Sequence, residues 1–161
     1  MTVAVYPGSF DPLTIAHEAV ALAALEQLGA ERVDLAVSEV TLGKSHLAAT
    51  VRQRAHRLEQ LVERRAGLAV VVVSDQLIVD IARGYDVVVM GADKWSQVND
   101  PAWYGGDTRA RDAALSGLPR VAVAPRKGHT VPDELRLELP ADLAQVSSSA
   151  VRAGRWEWAA G

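Results

Sequence analysis

Residues 2–28 read TVAVYPGSFDPLTIAHEAVALAALEQL, and the order of elements in that stretch decides the fold. Thr2–Tyr6 is a short apolar, β-prone run that reads as a strand. Pro7–Leu13 carries two prolines, a glycine, a serine and an aspartate, which is loop chemistry. Ile15–Leu28 is rich in Ala and Leu and stops at Gly29, as a helix does. A strand, a tight loop and a helix therefore follow one another within the first thirty residues.

The alternation continues outward from there. Val33–Val37 reads as a second strand, and Val51–Arg65 as a charged helix with Ala55, Leu58, Leu61 and Val62 at helical spacing. Leu68–Val73 (LAVVVV) is a third strand, apolar enough to predict burial on both faces. Gln76–Arg83 reads as a short helix, Asp86–Met90 as a fourth strand, and Gly91–Asp107 as a polar and aromatic loop. A helix at Thr108–Ser116, a fifth strand at Arg120–Ala124 and a last helix opening near Ser148 complete the series. Strands separated by helices predict a Rossmann-like α/β fold, a doubly wound parallel five-stranded sheet with helices on both faces. In such sheets ligands sit beyond the carboxyl ends of the strands.

Composition bounds the function classes. The 161 residues suit a single domain over 1–161, since domains run to about 100–200 residues. No cysteine is present, so disulfides, thiolate zinc sites and cysteine nucleophiles are excluded, and a cytoplasmic setting is expected. The net charge of −3 speaks against a dedicated nucleic-acid binder. No signal peptide is read at the start, and the densest apolar run is too short for a membrane span.

Two stretches carry chemistry. In the first, Gly8 lets the backbone approach a phosphate, Thr14 stands where a helix N-cap belongs, and His17 falls in the first turn. A helix start attracts anions, and an imidazole there donates to a phosphate. A capped helix with a surface histidine is the bland alternative. In the second, Val146-Ser147-Ser148-Ser149-Ala150-Val151-Arg152 offers serine hydroxyls and N–H groups at a helix start, with Arg152 one turn along to take a phosphate. Read alone, an N-capped surface helix with an exposed arginine is the preferred explanation.

Together the two stretches resemble the signatures of the HxGH nucleotidyltransferase superfamily. Gly8-Ser9-Phe10-Asp11-Pro12 followed by Thr14-Ile15-Ala16-His17 is similar to the first motif of phosphopantetheine and nicotinate-mononucleotide adenylyltransferases. The 146–152 stretch resembles the second, Ile-Ser-Ser-(Thr/Ser)-x-(Val/Ile)-Arg. The resemblance implies a nucleotide site made by Gly8, Ser9, Phe10, Ala16, Gly91, Asp93, Ser147, Ser148 and Ser149. It implies that His17, Thr14, Lys44 and Arg152 act on the polyphosphate. Ala16 departs from the family pattern, which has Gly there.

The middle of the chain narrows the acceptor. Lys44, in the loop after strand two, corresponds to a lysine that relatives use on acceptor or nucleotide phosphates; a solvated loop lysine is the alternative. Gly91-Ala92-Asp93 resembles the Gly-Ala-Asp of nicotinate-mononucleotide adenylyltransferases. The pantetheine enzymes carry Arg-Gly-x-Arg there, and Met90 and Asp93 stand at those arginine positions. Asp93 would hold a ribose hydroxyl or help position metal, unless it is a simple turn residue. Trp95, Trp103 and Tyr104 would stack on a planar acceptor, anchor the loop or form a subunit contact. Arg54 is expected in a structural ion pair.

The implied reaction is attack of a phosphorylated small-molecule acceptor on the α-phosphorus of ATP or a related NTP, with loss of pyrophosphate. Mg²⁺ would ride on the nucleotide phosphates, with no protein-only metal site. The resemblance also implies a homo-oligomer, and the charge and the short apolar runs predict no nucleic-acid or membrane partner. Phosphopantetheine adenylyltransferase or cytidylyltransferase activity is the alternative, as is a catalytically weak nucleotide-binding protein. A plain dinucleotide-binding domain is disfavoured, because no Gly-x-Gly-x-x-Gly follows the first strand.

Overall fold

A computed structural model describes residues 1–39 and 49–160. Five parallel strands form one sheet: β1 (Val3–Gly8), β2 (Arg32–Ser38), β3 (Leu68–Val73), β4 (Val87–Gly91) and β5 (Arg120–Ala124). Their order is β3-β2-β1-β4-β5, so β1 is central and the winding reverses between β1 and β4. This is the doubly wound sheet that the alternation predicts.

Helices α1 (Ile15–Gln27) and α2 (Val51–Arg64) cover one face. Val20, Ala21 and Ala24 of α1 and Leu58 and Leu61 of α2 bury against Ala4, Val33, Leu35, Val37 and Val87. The 136–138 segment runs beside β5, where the Leu137 N–H donates to the Val123 carbonyl at 2.9 Å. Gln27 fixes that segment by exchanging two 2.8 Å hydrogen bonds with the backbone of Glu138. The other face carries α3 (Ile78–Ile81) and α4 (Ala92–Asn99), whose Ile78, Ile81, Ala92 and Val98 meet Val5, Ala36, Val88, Met90 and Val123. Helix α5 (Thr108–Ser116) leads into β5, and α6 (Ser148–Arg152) closes the series.

Three expectations are corrected. Strand β3 is an edge strand, and Val72 is 47% exposed, so its apolar run does not mean burial on both faces. Gly91–Asp107 is not a loop: it holds α4 and a 3-10 turn at Pro101–Tyr104, capped by Asp100. Strand β1 runs on through Pro7 and Gly8, which pair with Ala36 and Val37 of β2. Pairing with β2 therefore carries the backbone two residues further toward the loop than its apolar pattern suggests.

Candidate active site

A cavity of about 460 Å³ opens beyond the carboxyl ends of β1, β4 and β5, at the reversal of strand order. Gly8, Ser9, Ala16 and His17 line one side, joined by Ser147, Ser148 and Ser149 from the far end of the chain. Gly91, Asp93 and Arg126 also line it, and Gln76, Ile78, Lys94, Gln97 and Trp103 extend the lining. The two sequence stretches thus converge on one space.

His17 is held by local bonds. The Thr14 N–H donates to His17 Nδ1 at 2.9 Å, and the Thr14 hydroxyl oxygen accepts the His17 N–H at 3.2 Å. This reciprocal capping box starts α1. A ring nitrogen that accepts carries no proton, so the neutral imidazole bears its proton on Nε2. Thr14 itself is 1% exposed and does not line the cavity. Its bridge to Ala159, and the 3.1 Å bond from the Ala160 N–H to the Leu13 carbonyl, cover it with the chain's last turn. Thr14 therefore acts on His17 and does not touch the cavity.

Phe10 also lies behind the wall. It is buried, with its ring edge-on to His17 at 5.0 Å and to Tyr6 at 5.5 Å. Its φ of 49° is a left-handed conformation, which costs a non-glycine residue about 1–3 kcal/mol. Gly8 answers to the same ring: a Cβ there would stand 3.0 Å from Phe10 Cζ. The glycine makes room for a side chain as well as lining the cavity. Burial pushes the Tyr6 phenol well above its usual value; Arg126 pulls it back and Asp93 pushes it up, so the wall presents a neutral hydroxyl.

The serines are busier than phosphate ligands alone would be. Ser148 donates its hydroxyl to the Pro12 carbonyl at 2.7 Å, stitching the last helix to the first loop. Ser147 caps α6 by accepting the Ala150 N–H at 3.1 Å. Ser149 accepts from Arg152 Nη2 at 3.3 Å. Arg152 does not line the cavity; its guanidinium lies against Asp11, one hydrogen bond from the wall.

Among the described residues Arg54 has backbone carbonyls, not the expected carboxylate in ion-pair contact, as its partners. It is 2% exposed and donates to the carbonyls of Ser9 (2.7 Å), Ser38 (2.8 Å) and Ala49 (3.2 Å). Burial lowers its pKa and the nearby Asp11 raises it, which fits a guanidinium that stays charged while pinning the first loop to the end of β2. Lys44 falls outside the described residues.

On the cavity wall, Asp93 occupies the first turn of α4, and a Cβ on Gly91 would stand 2.7 Å from its Oδ1, so the carboxylate would have to shift. Asp93 Oδ2 is 3.8 Å from Arg126 Nη2, and Arg126 Nη1 donates to the Val146 carbonyl at 2.9 Å. Arg126 was not singled out by sequence; its signal is its place just after β5, where ligands of such sheets bind. The three aromatics part company. Trp103, 40% exposed, lines the cavity. Trp95 packs on the core of the second face, and Tyr104 lines a smaller apolar recess with its hydroxyl on the Val98 carbonyl.

Known proteins resemble this chain in sequence and in fold. A phosphopantetheine adenylyltransferase of Paracoccus denitrificans is 27% identical over 129 residues, 79% of each chain. A Plasmodium falciparum nicotinic acid mononucleotide adenylyltransferase complexed with NaAD superposes with a TM-score of 0.62 at 15% identity, over 94% of this chain and 82% of that one. The same enzyme complexed with APC superposes with a TM-score of 0.59 at 14% identity over the same shares. The cytidylyltransferase-like family model runs over residues 5–154, across both signature stretches and the whole sheet between them; the chain belongs to that family of nucleotidyltransferases.

Proposed function

We propose that the protein transfers an adenylyl group from ATP to a phosphorylated small-molecule acceptor, most like a nicotinate or nicotinamide mononucleotide, releasing pyrophosphate. The observation that carries this is the meeting of His17 with Ser147–Ser149 on one cavity at the strand ends. In this reading an acceptor phosphate oxygen attacks the α-phosphorus in line, the bond to the β-phosphate oxygen breaks, and no bond to the enzyme forms. An acceptor phosphate is already ionised, so the protein supplies position and charge, not a base. His17 gives its Nε2 proton as a hydrogen bond to the phosphates, Ser9 and the serines at the start of α6 line their path, and Arg152 and Lys44 neutralise charge. Arg126 belongs with them as a cation on the cavity wall, bonded to the Val146 carbonyl beside the serines.

Mg²⁺ would enter on the triphosphate and offset its charge. Among the described residues no three His, Asp or Glu side chains stand together, and Asp93 is the carboxylate on the cavity wall. That donor set fits a metal held mainly by phosphates, with Asp93 facing it. Trp103, Ile78 and Ile81 give the acceptor an apolar, partly aromatic berth.

The identity to a phosphopantetheine adenylyltransferase favours phosphopantetheine as a second acceptor. Pyrophosphate release decides between them, with ATP or CTP offered against nicotinate mononucleotide, nicotinamide mononucleotide and phosphopantetheine. Turnover with ATP and a mononucleotide is expected. Saturable ATP binding without turnover on any acceptor overturns the reading and leaves a nucleotide-binding protein.

A further inference from the structure

Arg152 is not on the cavity wall, and what holds it back is specific. Asp11 is 3% exposed, the most buried carboxylate among the described residues. Its Oδ2 is 3.8 Å from Arg152 Nη1, which also donates to the Asp11 carbonyl. Its Oδ1 accepts the Ala49 N–H at 3.0 Å. Arg54, buried beside it, is a second cation in the same field. Arg152, in contrast, is 37% exposed and tied to the wall through Ser149.

These surroundings let Asp11 lose one cation and keep another. A buried carboxylate stripped of its partner is strongly disfavoured, but here the Ala49 N–H and the charge of Arg54 remain if Arg152 leaves. The arginine is long, partly exposed and already bonded to a serine that lines the cavity. Resting on the proposed phosphate role of this cavity, we propose that Arg152 is an exchanging clamp. It has one station on Asp11 and a second on the triphosphate, and Asp11 sets nucleotide affinity by competing for it. Asp11 is thus a positioning residue that works through Arg152. Its position makes it a brake: the same charge that orders the guanidinium must be outbid by the phosphates.

Calorimetric titration of Mg²⁺–ATP into four proteins tests this: the wild type, Asp11→Asn, Arg152→Ala and the double variant. Asparagine keeps an acceptor for the Ala49 N–H, removes the charge and turns the oxygen near Arg152 into an N–H donor. The Arg152→Ala protein should bind about 10- to 100-fold more weakly, since it loses a charged phosphate contact. The Asp11→Asn protein should bind roughly two- to fivefold more tightly, the scale of a partly exposed ion pair. In the Arg152→Ala background, Asp11→Asn should change nothing. Weaker or unchanged binding by Asp11→Asn in the presence of Arg152, or an equal effect without it, overturns the exchange while leaving the nucleotide site standing. Unchanged binding by Arg152→Ala removes Arg152 from the phosphate site and overturns both its role in the reaction and the clamp. A second measurement needs no folded variant of Asp11. The Arg152 Nε–H resonance of the wild-type protein should shift as ATP saturates the site, and a resonance that stays put rejects the exchange.

Discussion

The two walls of the cavity are built on different principles. The wall that carries Gly8, Ser9, Ala16, His17 and Ser147–Ser149 is backed by hydrogen bonds between distant parts of the chain: Ser148 to Pro12, Arg152 to Asp11, Ala160 to Leu13, Arg54 to Ser9. The wall made by α3, α4 and the Pro101–Tyr104 turn presents side chains on short helices, with an exposed Trp103 and the Lys94–Gln97 pair at 2.6 Å. The first has the rigidity that a charge-stabilising site needs. In the second, the exposed Trp103 can change without touching the buried Ile78, Ile81, Ala92 and Val98 of α3 and α4. Reaction chemistry and acceptor choice should therefore separate under mutation.

The largest effect should come from His17→Ala. It removes the donor that the Thr14 capping bond orients, and kcat for pyrophosphate release should fall by about two to three orders of magnitude. Turnover within a factor of two of wild type would show that the first wall is a frame and not the reacting surface.

Arg54→Ala tests that frame. It deletes donors to three carbonyls in a site that is 2% exposed, and should lower folding stability by about 3–5 kcal/mol in urea unfolding. Arg54→Lys should fall between, because one ammonium cannot reach three acceptors set around a planar fork. If Arg54→Ala is near neutral, the cross-links do not hold the first wall.

The contrast between the walls also explains what the sequence revealed. Strand positions, the Thr14 cap and the serine motif are local: residues within a few positions of each other make the bonds, so spacing alone exposes them. The convergence of Ser147–Ser149 with His17 was legible only through family resemblance, since no local rule joins residues so far apart. Arg54 was read as half of an ion pair because charges are visible in sequence, whereas its partners are backbone carbonyls and are not. Helix α4 escaped because Ala92–Asn99 buries only Ala92 and Val98, too few for a periodic signal, and Trp and Asn disguised it as loop. The aromatics looked like one cluster by proximity in sequence. The turn of α4 and the Pro101–Tyr104 segment send Trp95 to the core and leave Trp103 on the cavity.

Trp103→Ala probes the second wall. It should raise KM for the acceptor about tenfold, the worth of a lost ring face, and leave KM for ATP and kcat with saturating acceptor close to wild type. An equal rise in KM for ATP would mean that the two walls are one binding surface.

The smallest effect should come from a residue on neither wall. Asp34, toward the amino end of β2, accepts the Tyr85 hydroxyl at 2.7 Å and Arg32 Nε at 2.7 Å. Burial first, and then the bond to Asp34, push the Tyr85 phenol from its ordinary 10 up to about 12. Below pH 10 the phenol is protonated in both folded and unfolded chains, and its contribution to stability is complete. Between pH 10 and 12 the unfolded chain gives up the proton first, so stability falls as pH rises through that window. Tyr85→Phe should therefore flatten the loss of stability between pH 10 and 12, cost about 1 kcal/mol at neutral pH, and leave pyrophosphate release unchanged there. A change in kcat would place the amino-end cluster in contact with the cavity through β2, and the separation between frame, reacting surface and acceptor wall would have to be redrawn.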